Sequence, residues 1–228
     1  MKKLILFFVI CLCVKSFSQI NFYKLNMVSG YKSTITKLDS CFNAGYYKDS
    51  SLYYKGLVQL KNNQNAEAKK TCAELIKLFP EYLDAHYLKA LIFYAEKSYM
   101  SSIDEFSIVI DKNRKHLKAL FNRSTAFGMI ENYTKAIEDL DACISLKPVY
   151  SQAYYSRAYW QEYLGNHAAA IKDYENTINI DPKNYDAYLG LAYIYLNQKN
   201  KTKSCEIINN AIKSGSQIAE DLKENFCN

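Results

Sequence analysis

Three histidines (His86, His116 and His167) and five of the seven cysteines (Cys41, Cys72, Cys143, Cys205 and Cys227, those beyond the first eighteen residues) are the side chains best suited to hold a metal, pass a proton or form a covalent bond. Twenty-one tyrosines among 228 residues add a different capacity. Each offers a broad apolar ring and one hydroxyl at low entropy cost, which suits recognition of an extended ligand. The chain has no glycine-rich phosphate loop and no G-x-S-x-G turn. Whether any of these groups converge depends on the elements that carry them.

Those elements follow a fixed period. Pro80, Pro148 and Pro182 are 68 and 34 residues apart, and Ala68, Ala136 and Ala170 each precede one of them by twelve. A recurrence of this length marks stacked helical hairpins. With proline at place 32, the repeats run 49–82, 83–116, 117–150, 151–184 and 185–218. Place 8 then holds Gly56, Ala90, Ser124, Ala158 and Ala192, and place 20 holds Ala68, Ser102, Ala136, Ala170 and Ser204. All ten are small, as needed where two antiparallel helices cross closely. Place 24 (Cys72, Phe106, Leu140, Tyr174, Ile208) supplies the larger side chain beside each crossing. Proline cannot continue the second helix and turns the chain into the next repeat.

These residues resemble the tetratricopeptide repeat family. The best match is 151–184, from Ser151 through Ala158, Ala170 and Tyr174 to Asp181-Pro182, and the resemblance covers about three quarters of the chain. It implies an all-α fold, a superhelical solenoid of five helix A–helix B hairpins with helix A lining the inner face. Place 32 departs from the pattern at Arg114 and Ser216, and the tryptophan common at place 4 is replaced by Leu52, His86, Leu120, Tyr154 and Tyr188. The motif is structural throughout, so it implies a binding scaffold and names no ligand.

The chain ends differ from the repeats. Residues 1–18 read as a secretory signal: Lys2 and Lys3, an apolar run from Leu4 to Val14, then Ser16-Phe17-Ser18 before a cut at Gln19. The run is short for a membrane span, which favours a cleaved signal over the alternative of an uncleaved N-terminal anchor. The expected location is therefore the periplasm or cell surface of a bacterium, with no membrane insertion after cleavage. The net charge is +6; three of the lysines lie in this segment or at its edge, so the mature chain carries +3, with no run of five like charges. Nucleic acid is not the expected partner. Residues 19–48 read as a degenerate hairpin or single helix with a Tyr31, Ile35, Leu38, Phe42 stripe. Residues 216–228 read as a closing helix with an Ile218, Leu222, Phe226 stripe, which a solenoid needs to cover its last hydrophobic face.

The repeat frame separates the reactive groups. The histidines fall at places 4, 34 and 17, which point in different directions, so no metal site, cofactor or catalytic centre is expected. Acidic residues are expected mostly at solvated positions. Cys72 and Cys143 occupy packing places, where a thiol acts as a small apolar group. Cys205 and Cys227 lie ten and twelve residues either side of Gly215 and come level in an antiparallel hairpin, so this pair could form a disulfide.

The tyrosines do converge. Places 2, 5, 9, 12 and 13 of helix A are expected to face inward. They carry Tyr53, Tyr87, Tyr94, Phe121, Tyr155, Tyr159, Tyr163 and Tyr193 among Lys61, Lys118, Gln152, Glu162, Asp186 and Asn197. The rings either pack one helix A on the next or line a groove for a peptide. The lysine and asparagine with which some members of the family clamp a C-terminal carboxylate are absent from places 5 and 9. The reading is a non-enzymatic scaffold that holds a segment of another protein, an envelope protein, in a tyrosine-lined groove. Glycan binding in the same groove and assembly through the ends are the alternatives.

Overall fold

The computed structural model describes residues 30–45 and 47–227; the expected signal segment and all of 19–29 lie outside them. Twelve α-helices and no strand occur among the described residues. The chain divides into two compact units, 1–112 and 113–228. The division falls beside Arg114, where the second repeat lacks its turn proline. The first unit holds α1 (Tyr31–Asn43), α2 (Lys48–Lys61), α3 (Asn65–Leu78), α4 (Leu83–Ala95) and α5 (Tyr99–Lys112). The second holds α6 (Leu117–Met129), α7 (Tyr133–Leu146), α8 (Ser151–Tyr163), α9 (His167–Ile180), α10 (Tyr185–Asn197), α11 (Lys201–Lys213) and α12 (Ile218–Phe226). The pairs α2–α3, α4–α5, α6–α7, α8–α9 and α10–α11 form the hairpins.

One device makes every hairpin turn. Place 15 is left-handed in all five repeats: Asn63, Lys97, Glu131, Gly165 and Lys199 have φ between 58° and 74°. The next residue's N–H then reaches back five residues to a carbonyl, as in Ser98 N to Phe93 O (2.8 Å) and Asn166 N to Gln161 O (2.9 Å). This is the Schellman closure that satisfies carbonyls left bare at a helix end. Only Gly165 takes the conformation without steric penalty. The following helix is capped in two repeats by an asparagine: the side chains of Asn132 and Asn200 accept from the N–H of Lys135 and Lys203.

The crossings are as close as small side chains allow. All ten residues at places 8 and 20 are buried. In the second repeat the Ser102 hydroxyl donates to the Ala90 carbonyl at 2.8 Å, joining place 20 to place 8 directly. Place 24 is buried in every repeat, with Phe106 and Leu140 wholly enclosed.

Some acidic residues depart from expectation. Glu105, Asp139 and Asp173, all at place 23 of helix B, are buried and paired to the basic residue sixteen positions earlier at place 7 of helix A. Arg123 meets Asp139 through Nε and Nη2 at 2.9 and 2.8 Å, and Arg157 meets Asp173 through the same nitrogens at 2.7 Å each. Arg157 also reaches Asp141 of α7. Its hydrogen bonds to Asp173 hold its pKa above the ordinary arginine value. In the second repeat Lys89 and His86 share Glu105 at 2.6 and 2.7 Å. The last repeat replaces the pair with Leu191 and Ile207.

The terminal helices bury Leu38 and partly bury Leu222 of the stripes the sequence suggests but are otherwise turned from them. In α1 the buried residues are Thr34, Leu38 and Cys41, one step round the helix from Tyr31, Ile35 and Phe42, which are half-buried. In α12, Ile218 is 62% exposed, while Ala219 is buried and Leu222 packs with it against Tyr188, Ala192, Ile208 and Ala211. The Phe226 side chain is outside the described set. A disulfide joins Cys205 of α11 to Cys227 at the end of α12, with Cα atoms 5.6 Å apart. Cys72 and Cys143 are free and buried. Burial pushes their thiols up to about 11 and about 12, which leaves them protonated and inert as nucleophiles.

Candidate protein-interaction surface

Place within the repeat decides which rings are open. Place 5 faces into the packing of the first unit: Tyr53 is 9% and Tyr87 6% exposed. Tyr53 meets Tyr54 and Tyr82 edge-on, and Tyr87 tilts against Phe106. The expectation that these two line an open groove is corrected: they are core. Desolvation on burial raises the Tyr53 hydroxyl far above the ordinary tyrosine value. Tyr94, at place 12, is half-buried and edge-on to Tyr99. Phe121, at place 5 of the second unit, is half-buried against Tyr150.

Place 13 is open in every repeat and place 9 in the last two, where the second unit puts tyrosines. Tyr159 is 38%, Tyr163 58% and Tyr193 57% exposed. The first two belong to a continuous cluster along α8. Tyr155 stacks near Tyr159 (6.5 Å between centroids), and Tyr159 meets Tyr163 edge-on at 5.1 Å. The hydroxyls of Tyr159 and Tyr163 lie 3.1 Å apart in a hydrogen bond. That bond and burial hold the Tyr159 hydroxyl up at about 12. At the far end Tyr133, the first residue of α7, tilts on Tyr163 (5.2 Å) and stacks on Trp160 (5.5 Å). Aromatic pairs at these separations each contribute about 0.5–1.5 kcal/mol beyond their buried area.

Two residues fix the cluster from below. A Cβ at Gly128 of α6 would collide with the Trp160 indole, so this glycine is the space into which the chain's single tryptophan lies. Tyr174 of α9 tilts against Tyr155, and its hydroxyl donates to Glu162 at 3.1 Å. Of the polar residues expected beside the rings, Glu162 is half-buried, and Lys61, Lys118, Gln152, Asp186 and Asn197 are exposed. Tyr133, Trp160 and Tyr174 were not among the sequence-derived candidates. Tyr133 opens a helix B, outside the places considered, and Trp160 sits one position after Tyr159. The signal that points to Trp160 is Gly128, a glycine inside a helix with no turn to make.

The remaining surface offers less. A depression of about 470 Å³ lies between α9, α10 and α11, lined by Glu175, Ile178, Ile207 and Asn210 among others. Among the described residues no group of three or more His, Cys, Asp or Glu could hold a metal ion.

Three family profiles described as "Tetratricopeptide repeat" match residues 53–116, 117–150 and 163–217, together well over half of the chain. The chain is a tetratricopeptide repeat protein. Proteins built from this repeat generally act as non-enzymatic scaffolds for binding other proteins or peptides. Similar solved structures carry the same fold. A structure titled "Crystal structure of MamA" is 21% identical, covers 72% of this chain and 96% of its own, and has a TM-score of 0.66. A tetratricopeptide repeat protein from Parabacteroides merdae ATCC 43184 is 15% identical and covers 91% of this chain and 96% of its own, with a TM-score of 0.62. YrrB, titled as having an unusual peptide-binding site, is 15% identical and covers 82% and 97%, with a TM-score of 0.64. No curated protein was found to match the chain. At these identities the likeness is one of fold.

Proposed function

We propose that this repeat protein is an exported, non-enzymatic module that binds an extended segment of another cell-envelope protein across the rings of Tyr155, Tyr159, Tyr163 and Tyr193. The carrying observation is the exposure of Tyr159, Tyr163 and Tyr193 on consecutive A helices. Open rings give contact area at little entropy cost. The signal-like pattern of residues 1–18 and the Cys205–Cys227 disulfide both suit an oxidising, exported setting.

The test is cross-linked capture from the envelope fraction with the mature protein as bait. The Tyr159→Ala/Tyr163→Ala double variant should retain its helicity and lose the captured protein. Capture that survives alanine at all four rings would refute the ring surface. Capture of glycan in place of protein, with the same ring dependence, would move the reading to a sugar-binding surface.

A further inference from the structure

Resting on that ring surface, we propose that its occupant carries arginine or lysine, and that the basic side chain lies against Tyr133, Tyr159 and Tyr163 with Glu131 and Glu162 beside it. Three observations support this. First, the rings form one contiguous patch, in mutual contact with centroids 5.1–5.2 Å apart from Tyr159 to Tyr163 to Tyr133, and Tyr159 and Tyr163 are 38% and 58% exposed, so a cation can lie on the outer side of the patch. A guanidinium or ammonium group is drawn to the negative face of such rings.

Second, carboxylates act on the hydroxyls of the cluster. The charged groups acting on its hydroxyls are Glu131 at Tyr133, Glu162 at Tyr159 and Tyr174, and Asp186 with Glu162 at Tyr155. Partial desolvation together with these carboxylates holds the Tyr133 and Tyr155 hydroxyls above their ordinary value, so the rings stay neutral.

Third, among the described residues no lysine or arginine pairs with Glu131, Glu162 or Asp186. Nearby cations are committed elsewhere: Arg157 to Asp173 and Asp141, and Lys135 to the Phe127 ring. The chain as a whole is basic, at +6. A basic ligand is therefore not drawn by net charge, and attraction must come from this local arrangement.

The probe is a blocked, fluorescein-labelled peptide of Gly-Ser-Arg repeats, compared by anisotropy with its citrulline and glutamate counterparts. Citrulline keeps the shape of arginine without the charge. The arginine peptide should bind roughly tenfold more tightly than the citrulline peptide at low salt, with the glutamate peptide weakest. Glu131→Gln/Glu162→Gln should erase the arginine preference; the glutamine amide oxygen can still accept from the Tyr174 hydroxyl. Tyr159→Ala/Tyr163→Ala should abolish binding of all three, with circular dichroism unchanged in both variants. Equal affinity for arginine and citrulline peptides, still dependent on the rings, overturns the charge preference and leaves the ring surface standing. No ring-dependent binding of any peptide overturns both.

Discussion

The two units use the same repeat and tyrosine-rich helices, yet only the second presents an open array of rings. In the first unit, place 5 carries the buried Tyr53 and Tyr87, while places 9 and 13 carry Leu57, Leu91, Lys61 and Ala95. In the second, place 9 carries Tyr159 and Tyr193 and place 13 carries Tyr163, all exposed. Residue type alone does not separate core from surface here; the angular position on helix A does. The units also differ beneath that face. The second is cross-braced by two bidentate arginine–aspartate pairs, and the first by a lysine and a histidine sharing one glutamate.

The largest effect should come from that bracing. Asp173→Ala leaves the half-buried Arg157 only the exposed Asp141 as a partner and should cost about 3 kcal/mol, the lower end for breaking a buried pair. Glu105→Ala should cost less, since Lys89 is 39% exposed and can turn to water. Chemical denaturation of both variants measures the gap, and equal losses would erase the distinction between the units. The double change Arg157→Leu/Asp173→Ile copies the last repeat and should recover most of the Asp173→Ala loss.

A middle-sized effect tests the repeat register. Ala170→Leu overpacks a fully buried crossing and should cost about 1–3 kcal/mol. Ala168→Leu or Ala169→Leu, on the exposed side of the same helix, should shift the denaturation midpoint little. Equal effects at all three positions would mean that α9 is turned differently.

The smallest effect lies in the turns. Lys97→Gly in the first unit and Lys199→Gly in the second relieve a left-handed residue and should each stabilise by about 0.5–1 kcal/mol; Gly165→Ala should destabilise by a similar amount. Thermal melts of the three variants report the sign, and a stabilising Gly165→Ala would contradict the turn geometry.

The fold was legible in the sequence because proline and small residues recur in phase, and helix crossings demand small residues whatever the ligand. The turns were not, since Lys97, Glu131 and Lys199 carry no left-handed signature and are held there by the hairpin. The buried ion pairs were missed because their partners are sixteen residues apart on two helices; the signal was a basic place 7 with an acidic place 23 in three successive repeats. The ring surface was half legible. Tyr159, Tyr163 and Tyr193 follow from helix A, whereas burial of Tyr53 and Tyr87 depends on neighbours supplied by other segments, such as Tyr82 just before α4 and Phe106 of α5.

The most direct measurement is a tyrosine footprint of the folded protein by limited nitration and peptide mass spectrometry. Tyr159, Tyr163 and Tyr193 should be modified early, with Tyr53, Tyr87 and Tyr174 spared until the chain unfolds. Modification of Tyr53 and Tyr87 at the rate of Tyr163 would contradict the claim that place in the repeat decides which rings are open.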